Sequence, residues 1–378
     1  MARLRRLQIL LLTLTLLSWS SLAAAGSVTL AWDAVPDTSV NNYKICWGTQ
    51  SGLYPSCTPT GNVTTYTLSG LTDGTAYFFV VKATNTSGID SSPSTEVSRR
   101  VGVPYSVAGD ISGDGATDFT IFRPSSGVWH TRNSNGSGFA SVQWGAAGDV
   151  PTAGDYDGDG KIDSAVYRPS TGTWYMRFSA TGGGTGAQWG MSTDKPVPAD
   201  YDGDGRTDVA VYRPSAGVWY YVASKTGAGV GVQWGATTDK PVPADYDGDG
   251  IADVSVFRPS SGVWYIRRSL TSDGIAVQWG ISEDLPVPGD YDGDGKSDAA
   301  VYRPSVGVWY IRNSATGQGV GVQWGTTGDV PAAGDFNGDG RTDIAVFRPS
   351  TGIWYVRYSS SQMISMQWGA SGDIPISK

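Results

Sequence analysis

Apolar and polar positions alternate in short runs over the first third of the chain. Residues 28–32, 42–47, 65–68 and 77–83 each place large side chains on one face, with turn residues between them at intervals typical of a β-sandwich. Beyond residue 103 the pattern becomes repetition. Asp110, Asp155, Asp200, Asp245, Asp290 and Asp335 open the same phrase every 45 residues. In the third copy three strand-like runs stand out, 209–212, 218–222 and 230–234. A shorter one, 196–199, precedes the acidic phrase, and its prolines suit a short or edge strand.

Four short strands per repeat of this length is the mark of a propeller blade. One blade cannot bury both faces, so neighbours must stack. The expected fold is all-β, with a small sandwich over 26–102 and a six-bladed β-propeller over 103–378. Ile374, Pro375 and Ile376 read like the opening of a seventh copy and are expected to close or cap the ring. An open β array is the alternative.

The acidic phrase carries the candidate chemistry. In the second copy Asp155, Asp157, Asp159 and Asp163 stand at positions 1, 3, 5 and 9, with Gly160 at position 6. Calcium takes about six to eight hard oxygen ligands, which alternate side chains and one carbonyl on a tight loop can supply. Lys161 would offer that carbonyl at position 7. The layout recurs at Asp200, Asp202, Asp204 and Asp208, at Asp245, Asp247, Asp249 and Asp253, and at Asp290, Asp292, Asp294 and Asp298. The last copy has Asp335, Asn337, Asp339 and Asp343; the first, Asp110, Ser112, Asp114 and Asp118, is the weakest set. An EF-hand needs a Glu at position 12 and flanking helices. Position 12 here is Val166, inside a strand-like run, so this is another kind of loop. Magnesium suits it less, because it prefers strict octahedral sites with retained waters.

Charge supports a cation. The six loops hold 22 of the chain's 35 acids, and four carboxylates packed without a cation repel one another. The net charge is −8; without Arg3, Arg5 and Arg6 it is −11, and six Ca²⁺ would bring it to about +1. About six bound Ca²⁺ are expected, or five if the first loop fails. An acidic chain argues against a nucleic-acid partner.

Two resemblances follow from these residues. Trp32, Leu71, Tyr77 and the segment 83–88 resemble a fibronectin type III domain, a family of spacers and binding modules. The repeats resemble the FG-GAP/VCBS family, integrin-like propellers whose blades carry such calcium loops between their first two strands. They depart from it in the Arg-Pro-Ser-x-Gly-x-Trp-Tyr segment and in having a loop on every blade. This resemblance implies adhesion or recognition at a cell surface.

Arg3, Arg5 and Arg6, the apolar run 7–17 and the alanines at 23–25 describe a secretory signal over 1–25, too short to span a bilayer. No later stretch is apolar enough to cross one, and the mature chain is expected to be an exported monomer. In an oxidising compartment Cys46 and Cys57, eleven residues apart around a turn, can pair; two free buried thiols are the alternative.

Twelve tryptophans belong to the repeat: Trp129, Trp174, Trp219, Trp264, Trp309 and Trp354, then Trp144, Trp189, Trp234, Trp279, Trp324 and Trp368. They read as packing between blades, with sugar stacking in inter-blade clefts as the sharper option. Arg123, Arg168, Arg213, Arg258, Arg303 and Arg348 read as partners of a nearby carboxylate or of the next blade's Trp, with ligand recognition as the option. His130 looks like a drifted tyrosine position. No catalytic motif stands out. The expected function is a non-enzymatic adhesion or recognition protein for a cell-surface or matrix protein. A multivalent calcium-dependent lectin and an accessory module of a calcium-dependent enzyme are the alternatives.

Overall fold

The computed structural model describes residues 26–72, 75–101 and 107–377. The segment 1–25, read as an export signal, lies outside them. The described residues form strands and turns without helices, so no helix long and apolar enough to cross a membrane is among them.

The N-terminal sandwich pairs Val28–Ala31 with Thr65–Leu68 in one sheet. Its second sheet runs in the order Ser56–Gly61, Val40–Gly48, Ala76–Asn85, Val97–Arg100. Leu30, Trp32, Tyr43, Ile45, Phe79 and Val81 form its core. The hydroxyl of Tyr77 accepts a hydrogen bond from the backbone of Thr72, which pins the corner. Ser56–Gly61 and Val97–Arg100 escape a hydrophobic-pattern reading because neither buries a face of its own. Cys46 and Cys57 stand opposite each other in the ladder and are disulfide-bonded. For a loop this short the crosslink stabilises by about 3 kcal/mol. Reductant, and equally C46A/C57A, should therefore lower the sandwich's melting temperature without moving the propeller's.

Six four-stranded antiparallel sheets follow, one per repeat. Blade 3 is typical: Lys195–Pro196, Val209–Arg213, Val218–Val222 and Gly229–Gln233. The short first strand is smaller than its sequence suggests. Only two residues pair in the ladder; Val197 still donates its N–H to Ala210 at 2.8 Å and Ala199 rejoins through an isolated bridge to Asp208, because Pro196 and Pro198 have no N–H to give. Val211, Tyr212 and Trp219 are fully buried, while the outermost strand alternates between exposed and half-buried.

Each inter-blade seam is an apolar cluster drawing on two neighbouring blades. One seam joins Phe119 and Ile121 of blade 1 to Ala345, Phe347, Trp354 and Val356 of blade 6, so the ring is closed. The closure is built in sequence: Ile374–Ile376 pairs with Phe122, Ile121 and Thr120 and supplies blade 1 with its missing first strand. The tail is thus a closing strand, and the open array is excluded.

Candidate metal centres on the blade loops

Each acidic loop leads into the second strand of its blade, and in blades 2 to 6 it connects that strand to the first. In blade 2 the carboxylate of Asp155 accepts the backbone N–H groups of Gly158 and Gly160, at 2.7 and 2.9 Å. Asp163 accepts from Tyr156 and Ser179, at 2.9 and 2.6 Å. These bonds aim positions 1 and 9 inward while leaving lone pairs on the same oxygens. Carboxylate oxygens of Asp155, Asp157 and Asp163 lie within 4.8 Å of one another, as do those of Asp200, Asp202 and Asp208 and of Asp245, Asp247 and Asp253. In blade 5 the trio is Asp290, Asp292 and Asp294, and in blade 1 it is Asp110, Asp114 and Asp118. Each trio could hold a metal ion.

The sequence ranks the first loop weakest, yet its three carboxylates converge. Ser112, at position 3, sits among them with its hydroxyl 3.3 Å from Asp118. Position 5 substitutes for position 3 there. Among the described residues it is the last loop that forms no three-acid cluster: Asn337 replaces a carboxylate, and its amide donates to Asp339 at 3.1 Å.

Three position-3 oxygens test the fit of a cation. Asp157 Oδ2, Asp247 Oδ1 and Asp292 Oδ1 are buried without a hydrogen-bond partner. A buried carboxylate oxygen needs a partner, and these face neighbouring carboxylates rather than donors. Burial, then backbone hydrogen bonds and neighbouring loop acids, set the titration in the metal-free chain. Burial is the largest cause, pushing Asp163 and Asp208 up to about 6 and Asp253 and Asp298 up to about 7.

A serine completes every loop. Ser134, Ser179, Ser224, Ser269, Ser314 and Ser359 donate their backbone N–H to the position-9 Asp and their hydroxyl to the position-5 Asp. Sequence reasoning missed them. Their 45-residue recurrence was the available signal. The loops are also tied to one another: the position-8 N–H donates to the position-1 carbonyl of the preceding blade, from Ile162 to Asp110 around to Thr117 to Asp335. This cycle holds the loops in a ring about the axis.

The repeated arginines and tryptophans are engaged in structure. Arg168 makes a two-bonded ion pair with Asp149, both at 2.8 Å, and stacks over Tyr175. Arg213, Arg258, Arg303 and Arg348 do the same with Asp194, Asp239, Asp284 and Asp329. Arg123 takes Asp373 from the closing tail. The carboxylate reading holds; the stacking partner is corrected, because it is the blade's own tyrosine, diagonally across the ladder on the neighbouring strand, rather than the next blade's tryptophan. Asp239 is fully buried. Arg258→Met should leave it uncompensated and cost about 3–5 kcal/mol, read by urea unfolding.

Trp129 and its equivalents are buried, each indole N–H donating to the carbonyl of the second tryptophan of the same blade. The second set bridges blades: Trp144 donates to Tyr175, and so on around to Trp368 donating to His130. Both sets pack the ring. His130 occupies the tyrosine register opposite Ile121, as Tyr175 does opposite Val166. Burial and the charge of Arg123 lower its pKa.

These features define a class, a fibronectin-like sandwich joined to a six-bladed propeller with an acidic loop on every blade. Residues 17–100 match the model of the fibronectin type III domain, and residues 200–256 and 290–346 match that of the FG-GAP-like repeat. The chain therefore carries a fibronectin type III domain followed by FG-GAP-like repeats. No curated protein matches it. Among solved structures, a streptogramin B lyase is 8% identical, covering 72% of this chain and 86% of its own, with a TM-score of 0.47. A virginiamycin B lyase from Staphylococcus aureus is 7% identical over 70% of this chain and 88% of its own, with a TM-score of 0.45. A Fn3-like protein from Clostridium thermocellum is 30% identical over 20% of this chain and 77% of its own, with a TM-score of 0.17.

Proposed function

We propose that this is an exported, non-enzymatic recognition protein whose propeller is made rigid by Ca²⁺ bound in its blade loops. The observation that carries the metal reading is the set of buried, unpartnered oxygens on Asp157, Asp247 and Asp292, each inside a converging carboxylate cluster. Positions 1, 3, 5 and 9 and the position-7 carbonyl would hold the ion, all of them hard oxygens of the kind Ca²⁺ takes. Bound calcium would supply the positive charge that the loops lack, and the serines and backbone donors hold the ligands oriented. Metal analysis of protein dialysed from calcium should find five or six ions per chain; fewer than three overturns the reading.

Recognition of a protein partner is favoured over glycan binding. The arginines and tryptophans that would build repeated sugar pockets already pair with buried aspartates and bridge the blades. A glycan array probed with calcium and with chelator tests this. Calcium-dependent binding to a narrow sugar class would replace the protein-partner reading with a lectin; a blank array from folded, calcium-loaded protein supports it.

A further inference from the structure

The six loops are not equally open. The sandwich rests on the loop face of the propeller, and its last strand, Val97–Arg100, sits on blades 4 and 5. Arg100 Nε donates to the backbone carbonyl of Asp249 at 3.0 Å, and the guanidinium lies 4.0 Å from that residue's carboxylate. Lys296, at position 7 of blade 5, reaches Glu96 at 3.1 Å and stacks against Phe78. Ser98 stands between the two loops. A Cβ on Gly248 would lie 2.5 Å from its hydroxyl, and one on Gly295 3.0 Å away. That hydroxyl is buried without a hydrogen-bond partner.

The consequence is local burial. The position-5 carboxylates of these two blades, Asp249 and Asp294, are 1% and 3% exposed, whereas Asp114 and Asp159 of blades 1 and 2 are exposed. Between the sandwich and the ring lies a cavity of about 1300 Å³ that borders loop residues of every blade, so it is the position-5 carboxylates, not the whole loops, that the sandwich seals in blades 4 and 5. The sandwich thus covers blades 4 and 5 most closely, touches blade 3 only where Arg100 nears Gly203, and stands off from blades 1, 2 and 6.

We propose that the fibronectin type III domain is a cover on two of the six metal loops, and that calcium enters and leaves blades 4 and 5 only when the sandwich lifts. This rests on the calcium reading above. Occlusion acts on rates: both entry and exit wait on an opening that breaks the Arg100 and Lys296 contacts. Blades 1, 2 and 6 exchange directly with solvent, and blade 3, met only by the tip of Arg100 at Gly203 while Asp204 stays half-exposed, exchanges with them. A partner that displaces the sandwich would release these two ions.

The test is stopped-flow release of calcium from the full chain into an excess of a chromophoric chelator. Two kinetic classes are expected, the slow one about a third of the bound calcium and at least about ten-fold slower, the factor that one charge-assisted hydrogen bond broken on opening sets. Ser98→Trp wedges the domains apart without altering any loop charge. It should merge the slow phase into the fast one at unchanged total calcium. The pair Arg100→Gln and Lys296→Gln should do the same and serves if the tryptophan variant does not fold. Lys161→Gln, on an uncovered loop, should leave both phases as they are. One phase at full stoichiometry in the unaltered protein overturns the cover, as does a slow phase that survives both undocking variants. Absence of bound calcium overturns this proposal and the calcium reading together, so the two failures are distinct.

Discussion

Chelating calcium should lower the propeller's melting temperature by tens of degrees. An ion bound only by the folded state, at a hundredfold over its dissociation constant, adds about 2.7 kcal/mol per site. Several sites act on one ring, and about 1 kcal/mol moves a domain of roughly this size by about 2–4 °C. The effect depends on pH in a direction the burial of the loops sets. In the metal-free fold Asp163 and Asp208 titrate at about 6, and Asp253 and Asp298 at about 7, against an ordinary 3.8. Between about pH 4 and 7 the folded chain therefore holds more protons than the unfolded one, and metal-free stability falls as pH rises through that window. The calcium-loaded protein should behave in the opposite sense, because its ligands must be deprotonated. Melting with and without chelator should differ widely at about pH 7.5 and little at about pH 5. A shift that is the same at both, or no shift at all, counts against metal in these loops.

Removal of residues 373–378 should abolish cooperative unfolding of the propeller. The tail contributes the first strand of blade 1, the buried side chain of Ile376, and the Asp373 partner of Arg123 across 250 residues of sequence. Every other Arg–Asp pair of the repeat is 19 residues apart and survives if the ring opens. Asp373→Ala alone should cost about 3 kcal/mol, at the low end for a buried pair because Arg123 reaches water. Asp239→Ala should cost a similar amount, since the local chemistry is the same. The truncation should exceed both, by removing Ile376 from the seam it forms with Phe122, Trp129, Ile162 and Val166 and by taking the first strand from blade 1. A truncated chain that melts like the intact one would mean the ring does not depend on its closing strand.

The acidic loops were legible because their ligands are close in sequence. Positions 1, 3, 5 and 9 sit on one tight loop, so residue type and spacing alone place them together. The repeat was legible for a related reason: a 45-residue period forces equivalent side chains to equivalent places. The serines and the aspartates of the Arg pairs were not assigned, although both recur with the period. Their partners lie 16 to 20 residues away across a strand or a turn, and pairing at that distance needs the register of the sheet. The disulfide falls between the two cases, since Cys46 and Cys57 become opposite only once Val40–Gly48 and Ser56–Gly61 align.

The sequence by itself determined the all-β class, the number of blades, the acidic loops and the closing role of the tail, each through local pattern or strict repetition. Tertiary structure alone decided three things. It showed which arginine meets which aspartate and tyrosine. It turned the second tryptophan of each blade into a bridge to the next. It buried the position-5 carboxylate in two of six near-identical loops and left the other four half-buried or exposed. A repeat writes the same chemistry on every blade. The single sandwich cannot contact all six at once, so its docking breaks a symmetry that the sequence of the ring does not break.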